Sequence, residues 1–252
     1  MEDKTGANAS GVRILTIDPR EAAQWLCREL FFQDVSTSAC VAVRTGALLV
    51  ELCCPDSDTD PYLPDALQYG LRHIALETDN ITQALRYCRE RGMRLQTGVS
   101  GAPRFSGKVY GTGLHYFNIL TDFGVTVEVT EKHANSPRNA PYLIWGLGHI
   151  GIQTGDLMRS LLIYRERGFR EDFPPVENKT ADGAVRCCMT SRDGLTLELY
   201  EFHDRPNLPI QRHPALAALL CGGKNSRSLP EEMVGPSGEQ IENRQSLEDL
   251  AG

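Results

Sequence analysis

The chain has no apolar run approaching the ~18 to 20 residues a bilayer-spanning helix needs, and no basic-then-apolar leader in its opening MEDKTGANASG. Both absences lead to the expectation of a cytoplasmic protein. It also lacks any dense cluster of lysine and arginine, and its formal net charge is -7. Nucleic acid and anionic membrane are therefore excluded as main partners, because both are recognised through clustered positive charge. Cysteine is not scarce, with 8 in the chain. Several of them, however, lie inside apolar strand or helix patterns, and the adjacent pairs Cys53-Cys54 and Cys187-Cys188 would alternate faces along a strand. Such pairs make poor chelators and poor disulfides, so reduced structural thiols are expected.

What remains is an ordinary globular composition, 41% hydrophobic and 23% charged over 252 residues, arranged as a repeat. RHIALETDNITQALRYCRERG opens the clearest copy and HYFNILTDFGVTVEVTE closes it. GHIGIQTGDLMRSLLIYRERGF followed by DGLTLELYE repeats the order, so that His149 and Glu198 fall where His73 and Glu128 stand. GVRILTIDPREAAQWLCRELFF with TGALLVELCCP is an earlier copy that keeps the glutamate, Glu51, while Gly11, Val12 or Arg13 stands where a histidine would be. A repeat of this period marks supersecondary modules, each needing a neighbour to bury its apolar face.

Within each copy the pattern is strand, helix, then further strands. Asp18-Pro19 and Gly155-Asp156 are helix starts, Asp79 or Asn80 caps the middle helix, and Gly92 and Gly168 end two of them. Gly98 to Gly113 reads as a glycine-rich loop over the open side of the second copy. Residues 1 to 10 read as a mobile arm and PDSDTDPYLPDALQYG and HANSPRNAPY as linkers. After Phe202 the periodicity fades; PALAALL suggests one short helix, and residues 204–252 read as a polar, disordered tail.

A histidine opening one strand and a glutamate inside another can converge on one concave face, since strand side chains alternate. Imidazole and carboxylate are ligands for Zn, Ni, Mn or Fe, and catalytic sites leave positions open for water or substrate. A glutamate set between apolar neighbours three times (LLVELC, VTVEVT, LTLELY) is hard to explain as surface decoration, because an unpaired buried carboxylate is costly.

At HIALETDN, GHIGIQTGDLMRS, VTVEV and LTLELYE the sequence resembles the vicinal oxygen chelate superfamily, which includes glyoxalase I, bleomycin resistance proteins and extradiol dioxygenases. The resemblance covers about residues 11 to 203. It implies an α+β fold of βαβββ modules pairing into a half-open curved sheet around a divalent metal, with His73, Glu128, His149, Glu198 and Glu51 at the ligand positions and Glu128 as general base. Two pairings are open. Joining the first two modules gives a domain over 11–131 (modules 11–55 and 71–131), leaving the module at 143–203 to find a copy of itself in a homodimer or a missing fourth module. Joining the second and third gives a His, Glu, His, Glu set. Glyoxalase I proteins carry an arginine four residues beyond the first-strand ligand for glutathione, where this chain has Glu77 and Gln153, and an asparagine after the leading glutamate, where Pro55 stands. Strict lactoylglutathione lyase activity is thus not expected. His115 or Tyr116 is expected to reach the cavity, and Arg104 and Lys108 to be loop charges. The expected function is a divalent-metal-dependent lyase or isomerase acting on a small oxygenated substrate; the alternatives are an Fe(II) extradiol-type dioxygenase and a metal-free binding or drug-sequestering protein.

Overall fold

A computed structural model describes residues 10–55, 69–132, 141–180, 183–204, 216–221, 232–237 and 239–243. The expected N-terminal arm (apart from Ser10) and most of both linkers lie outside the described residues. The first unit runs β1 (Ser10–Leu15), α1 (Pro19–Leu30), β2 (Gln33–Asp34), β3 (Val41–Thr45) and β4 (Leu48–Cys53). The second runs β5 (Gly70–Glu77), α2 (Ile81–Glu90), β6 (Leu95–Gln96), β7 (Arg104–Ser106), β8 (Leu114–Leu120) and β9 (Thr126–Lys132). The third runs β10 (Trp145–Gln153), α3 (Leu157–Glu166), β11 (Arg170–Glu171), β12 (Val176–Thr180), β13 (Gly183–Arg192) and β14 (Leu195–Phe202).

The helix starts are where capping chemistry puts them. The carboxylate of Asp18 accepts from Glu21 N at 2.9 Å ahead of Pro19, Asn80 accepts from Gln83 N at 2.9 Å, and Asp156 accepts from Arg159 N at 2.9 Å. Gly92 and Gly168 follow α2 and α3 in left-handed backbone, φ 70° and 85°. Each helix lays its apolar stripe on the convex side of a sheet, and Leu26, Leu85, Leu161, Val12, Ile74, Val127, Ile150 and Leu197 belong to one continuous core.

The pairing of units differs from the first alternative above. Strands of the first unit lie in a sheet of order β16-β17-β15-β1-β4-β3-β2, formed with three strands from the tail: β15 (Leu216–Cys221), β16 (Glu232–Val234) and β17 (Gln240–Asn243). The second and third units share the other sheet, β11-β13-β14-β10-β5-β9-β8-β6. Residues 11–131 are therefore not one two-module domain. Their two halves belong to different sheets, bridged where Gly146 N donates to Thr45 Oγ1 at 3.0 Å.

The expectation of a disordered tail after residue 204 fails at β15, β16 and β17, and PALAALL supplies a strand, not a helix. β15 runs parallel to β17, which is antiparallel to β16, the same order as β1, β4 and β3. These strands thus repeat the strand arrangement of the first unit. Their docking has a clear cause: β1 would otherwise be an apolar edge with unpaired amides, and β15 covers it in antiparallel register, Gly11 opposite Leu220 and Arg13 opposite Ala218. β5 and β10 make the same joint in the other sheet, with His73 opposite Gly151. The third unit thus has its sheet partner within the chain, in the second unit. Among the described residues no helix is long and apolar enough to cross a membrane. Cys88, Cys187 and Cys188 are buried free thiols, and burial pushes Cys88 up to about 12.

Candidate metal centre

Register decides which side chains can meet. Glu128 lies opposite Ala75, two residues beyond His73, and Glu198 lies opposite Gly151, two beyond His149. Because successive residues alternate faces, all four side chains project from the concave face of the larger sheet, across the β5–β10 joint. They converge. His73 Nε2 is 3.1 Å from His149 Nε2 and 3.3 Å from Glu198 Oε2, while His149 Nε2 is 3.4 Å from Glu128 Oε1 and 3.5 Å from Glu198 Oε2. Donor atoms sharing a cation at ~2.1 Å would be ~3.0 Å apart in an octahedral arrangement and ~3.4 Å in a tetrahedral one. These four contacts fall in that range, and His73, Glu128 and His149, whose donor atoms all lie within 4.8 Å of one another, form a group that could hold a metal ion.

The approach of His73 depends on a glycine. A Cβ on Gly151 would lie 2.0 Å from the His73 ring, so only this residue leaves room for the imidazole. On its other side His73 stacks on Tyr200, ring centroids 6.2 Å apart. Exposure is graded: the side chain of His149 is 1% exposed, Glu128 9%, His73 12% and Glu198 18%. The cluster is thus most open on the His73–Glu198 side.

Burial alone would depress the His149 imidazolium, but hydrogen bonds and charge from Glu128 and Glu198 outweigh it and raise its pKa to about 9. Glu198 responds in the reverse sense. Burial would push its carboxyl up, yet the hydrogen bonds and charges of His149 and His73 hold it well below the ordinary carboxylate range. Its contacts with Glu128 and Glu198 thus favour the protonated form of His149.

Glu51 is not part of this cluster. It lies opposite Arg13 in the smaller sheet, with Arg13 Nε 2.7 Å from its Oε2. Of the pair on β8, Tyr116 shares the face of Glu128, while His115 lies on the opposite face and packs on Phe105 at 4.6 Å between ring centroids. Burial, then the charge of Glu128, raises the Tyr116 phenol to about 12. Arg104 pairs its strand with β8 and donates from Nε to Thr97 O at 3.3 Å, and Lys108 is exposed. Glu77, at the position where the resemblance implies an arginine for glutathione, is bound by Lys132 Nζ at 2.9 Å, and Gln153 is buried.

Tyr110, absent from the sequence-derived set, sits in the glycine-rich segment and packs with Phe173, Val109, Leu114, Cys187 and Met189. Met189 is the strand neighbour of Glu198. Nothing in the periodicity of a loop marks a residue that reaches back over a sheet. The one available signal was an aromatic set among glycines, Val109-Tyr110-Gly111.

No protein-family model matches the sequence, and no curated protein matches it. Among solved structures the chain is similar to glyoxalase I from Zea mays, with TM-score 0.64 and 14% identity, covering 94% of this chain and 91% of that one. It is also similar to a candidate dioxygenase from Bacillus subtilis, with TM-score 0.57 and 9% identity, covering 95% of this chain and 85% of that one. At these identities the likeness concerns architecture: the chain has a glyoxalase-like fold over 94% of its length.

Proposed function

We propose that the protein is a divalent-metal-dependent lyase or isomerase acting on a small oxygenated substrate, with His73, Glu128, His149 and Glu198 as the metal ligands. The observation that carries this reading is that His73, Glu128 and His149 offer donor atoms all within 4.8 Å of one another, with Glu198 3.3 and 3.5 Å from the two histidines. Fold alone says nothing of chemistry, whereas this donor set fits a divalent ion in number, type and spacing.

A bound divalent ion would polarise adjacent substrate oxygens and stabilise negative charge developing there. The chain's own residues do the rest. Glu198, in contact with both histidines, is the anchoring carboxylate. Glu128, which meets His149 alone, is the freer of the two and is assigned the proton transfer as general base. Tyr200 and Gly151 hold the His73 ring in place, and the apolar wall of Leu114, Cys187 and Met189 limits water. With Glu77 engaged by Lys132 where an arginine would grip glutathione, a compact substrate is favoured over a glutathione adduct.

A second reading rests on the group formed by two histidines and one glutamate, which is also the donor set of Fe(II) oxygen chemistry. Metal analysis of the purified protein, followed by oxygen uptake with a catechol panel, separates the readings. Stoichiometric Ni, Zn or Mn without oxygen uptake supports the lyase or isomerase; iron with uptake supports the dioxygenase. No bound metal after reconstitution defeats both and leaves a metal-free binding protein.

A further inference from the structure

Above the metal centre the chain does something costly. Tyr110 has φ 54° and ψ 20°, the left-handed region that disfavours side-chain-bearing residues, and it is followed by Gly111 at φ 71°. A glycine would take this conformation without strain, yet the position holds a large aromatic residue. The backbone turn sends the ring inward, edge-on to Phe173 with centroids 5.4 Å apart and beneath the ammonium of Lys132 at 4.7 Å. There it joins the second unit to the third, packing beside Met189, the strand neighbour of Glu198.

The hydroxyl at the end of this strained residue is buried and has no hydrogen-bond partner among the described residues. Buried hydroxyls are nearly always satisfied, and one that is not calls for a specific explanation. Burial, and the nearby charges of Asp172, Glu198, Glu77 and Glu128, hold the phenol protonated well above its ordinary range, so it is available as a donor. The other phenols of this face differ: Tyr116 and Tyr200 have Arg104 and Arg72 as hydrogen-bond partners.

We propose that Tyr110 is the substrate-contacting donor of this site, giving its hydroxyl hydrogen to an oxygen of the ligand bound at the His73, Glu128, His149 and Glu198 cluster. The inference rests on the metal reading and narrows it. The ligand is compact, carries an acceptor oxygen such as a carbonyl or carboxylate within reach of Tyr110, and presents a small apolar body to Val109, Leu114 and Phe173.

The test uses the full chain loaded with Co(II) and acetohydroxamate, a small chelator with two adjacent oxygens, as the probe, with affinity read from the visible spectrum of the cobalt. Tyr110→Phe is expected to weaken acetohydroxamate about tenfold, the scale of one net hydrogen bond, with cobalt stoichiometry unchanged. Its thermal midpoint without metal should stay level or rise, since an unsatisfied hydroxyl is removed. Tyr116→Phe, whose hydroxyl is already engaged, should bind the probe within about twofold of the parent. Equal probe affinity in Tyr110→Phe and the parent, with cobalt bound in both, overturns this inference and leaves the metal reading standing. Loss of cobalt from Tyr110→Phe would make the residue structural and overturns it as well. Failure of the parent to bind cobalt overturns both together.

Discussion

The two sheets are built on one plan and differ where chemistry is concerned. In the larger, His73 and His149 stand two residues ahead of the positions facing Glu128 and Glu198. In the smaller, the same offsets lead to Gly11 from Glu51 and to Ala218 from Glu242, because Glu51 pairs with Arg13 and Glu242 with Leu220. The glutamates survive and the imidazoles do not. Between the two carboxylates lies Arg13, donating from Nε to Glu51 at 2.7 Å and from Nη1 to Glu242. Its guanidinium supplies in one sheet the positive charge that a divalent ion would supply in the other. The space is closed around it: a Cβ on Gly11 would lie 2.9 Å from Leu49 O, and Ala42, Leu49, Ala218 and Leu220 pack together there. A buried carboxylate pair requires a cation, and an arginine of the chain answers that requirement as well as a metal does. The half with the histidines is the half with a His–Glu–His donor group that could hold a metal ion.

The hardest blow to this contrast is removal of a ligand. His73→Ala and Glu128→Ala should each reduce bound metal from about one equivalent to near zero, by elemental analysis, with the far-ultraviolet circular dichroism preserved. Unchanged stoichiometry in both would erase the distinction between the sheets. Gly151→Val comes next, since its side chain would occupy the space of the His73 ring; metal affinity should fall about 10 to 100-fold, the range seen when ligand orientation is disturbed, in a competition against a chromogenic chelator. In the smaller sheet the effect falls on stability instead. Arg13→Met should leave Glu51 and Glu242 facing each other and cost about 3 kcal/mol in urea unfolding, with metal content unaffected.

The smallest expected effect is a divergence with pH. His149 has its pKa raised to about 9 by Glu128 and Glu198 against burial, and an unfolded histidine titrates near ~6.5. In the metal-free protein its stabilising contribution is therefore complete below about 6.5 and is lost as pH rises through about 9. Metal binding needs the neutral imidazole, so apparent affinity should climb over the same interval. Thermal midpoints measured with and without metal should separate progressively between those limits; parallel curves would mean that His149 is no ligand.

Much of this was legible before any coordinates. The capping residues Asp18, Asn80 and Asp156, the terminating glycines and the His73, Glu128, His149 and Glu198 positions all follow from local rules: a cap bonds within three residues, and strand faces alternate at every second one. The tail strands were hidden because LAALLC is too short for its period to separate strand from helix. Glu242 likewise carries no sign that Arg13, far away in sequence, will bind it.

The sequence by itself determined the modules, their helices and strands, and the residue types available as ligands, since these depend on propensity and period along one segment. Only the tertiary structure decided which modules share a sheet, and so whether a glutamate meets a histidine, as Glu198 does, or an arginine, as Glu51 does. It alone placed the Tyr110 ring against Phe173 of the third unit. Those outcomes depend on which edges are covered and which faces are enclosed, properties that belong to pairs of segments and are written in neither one.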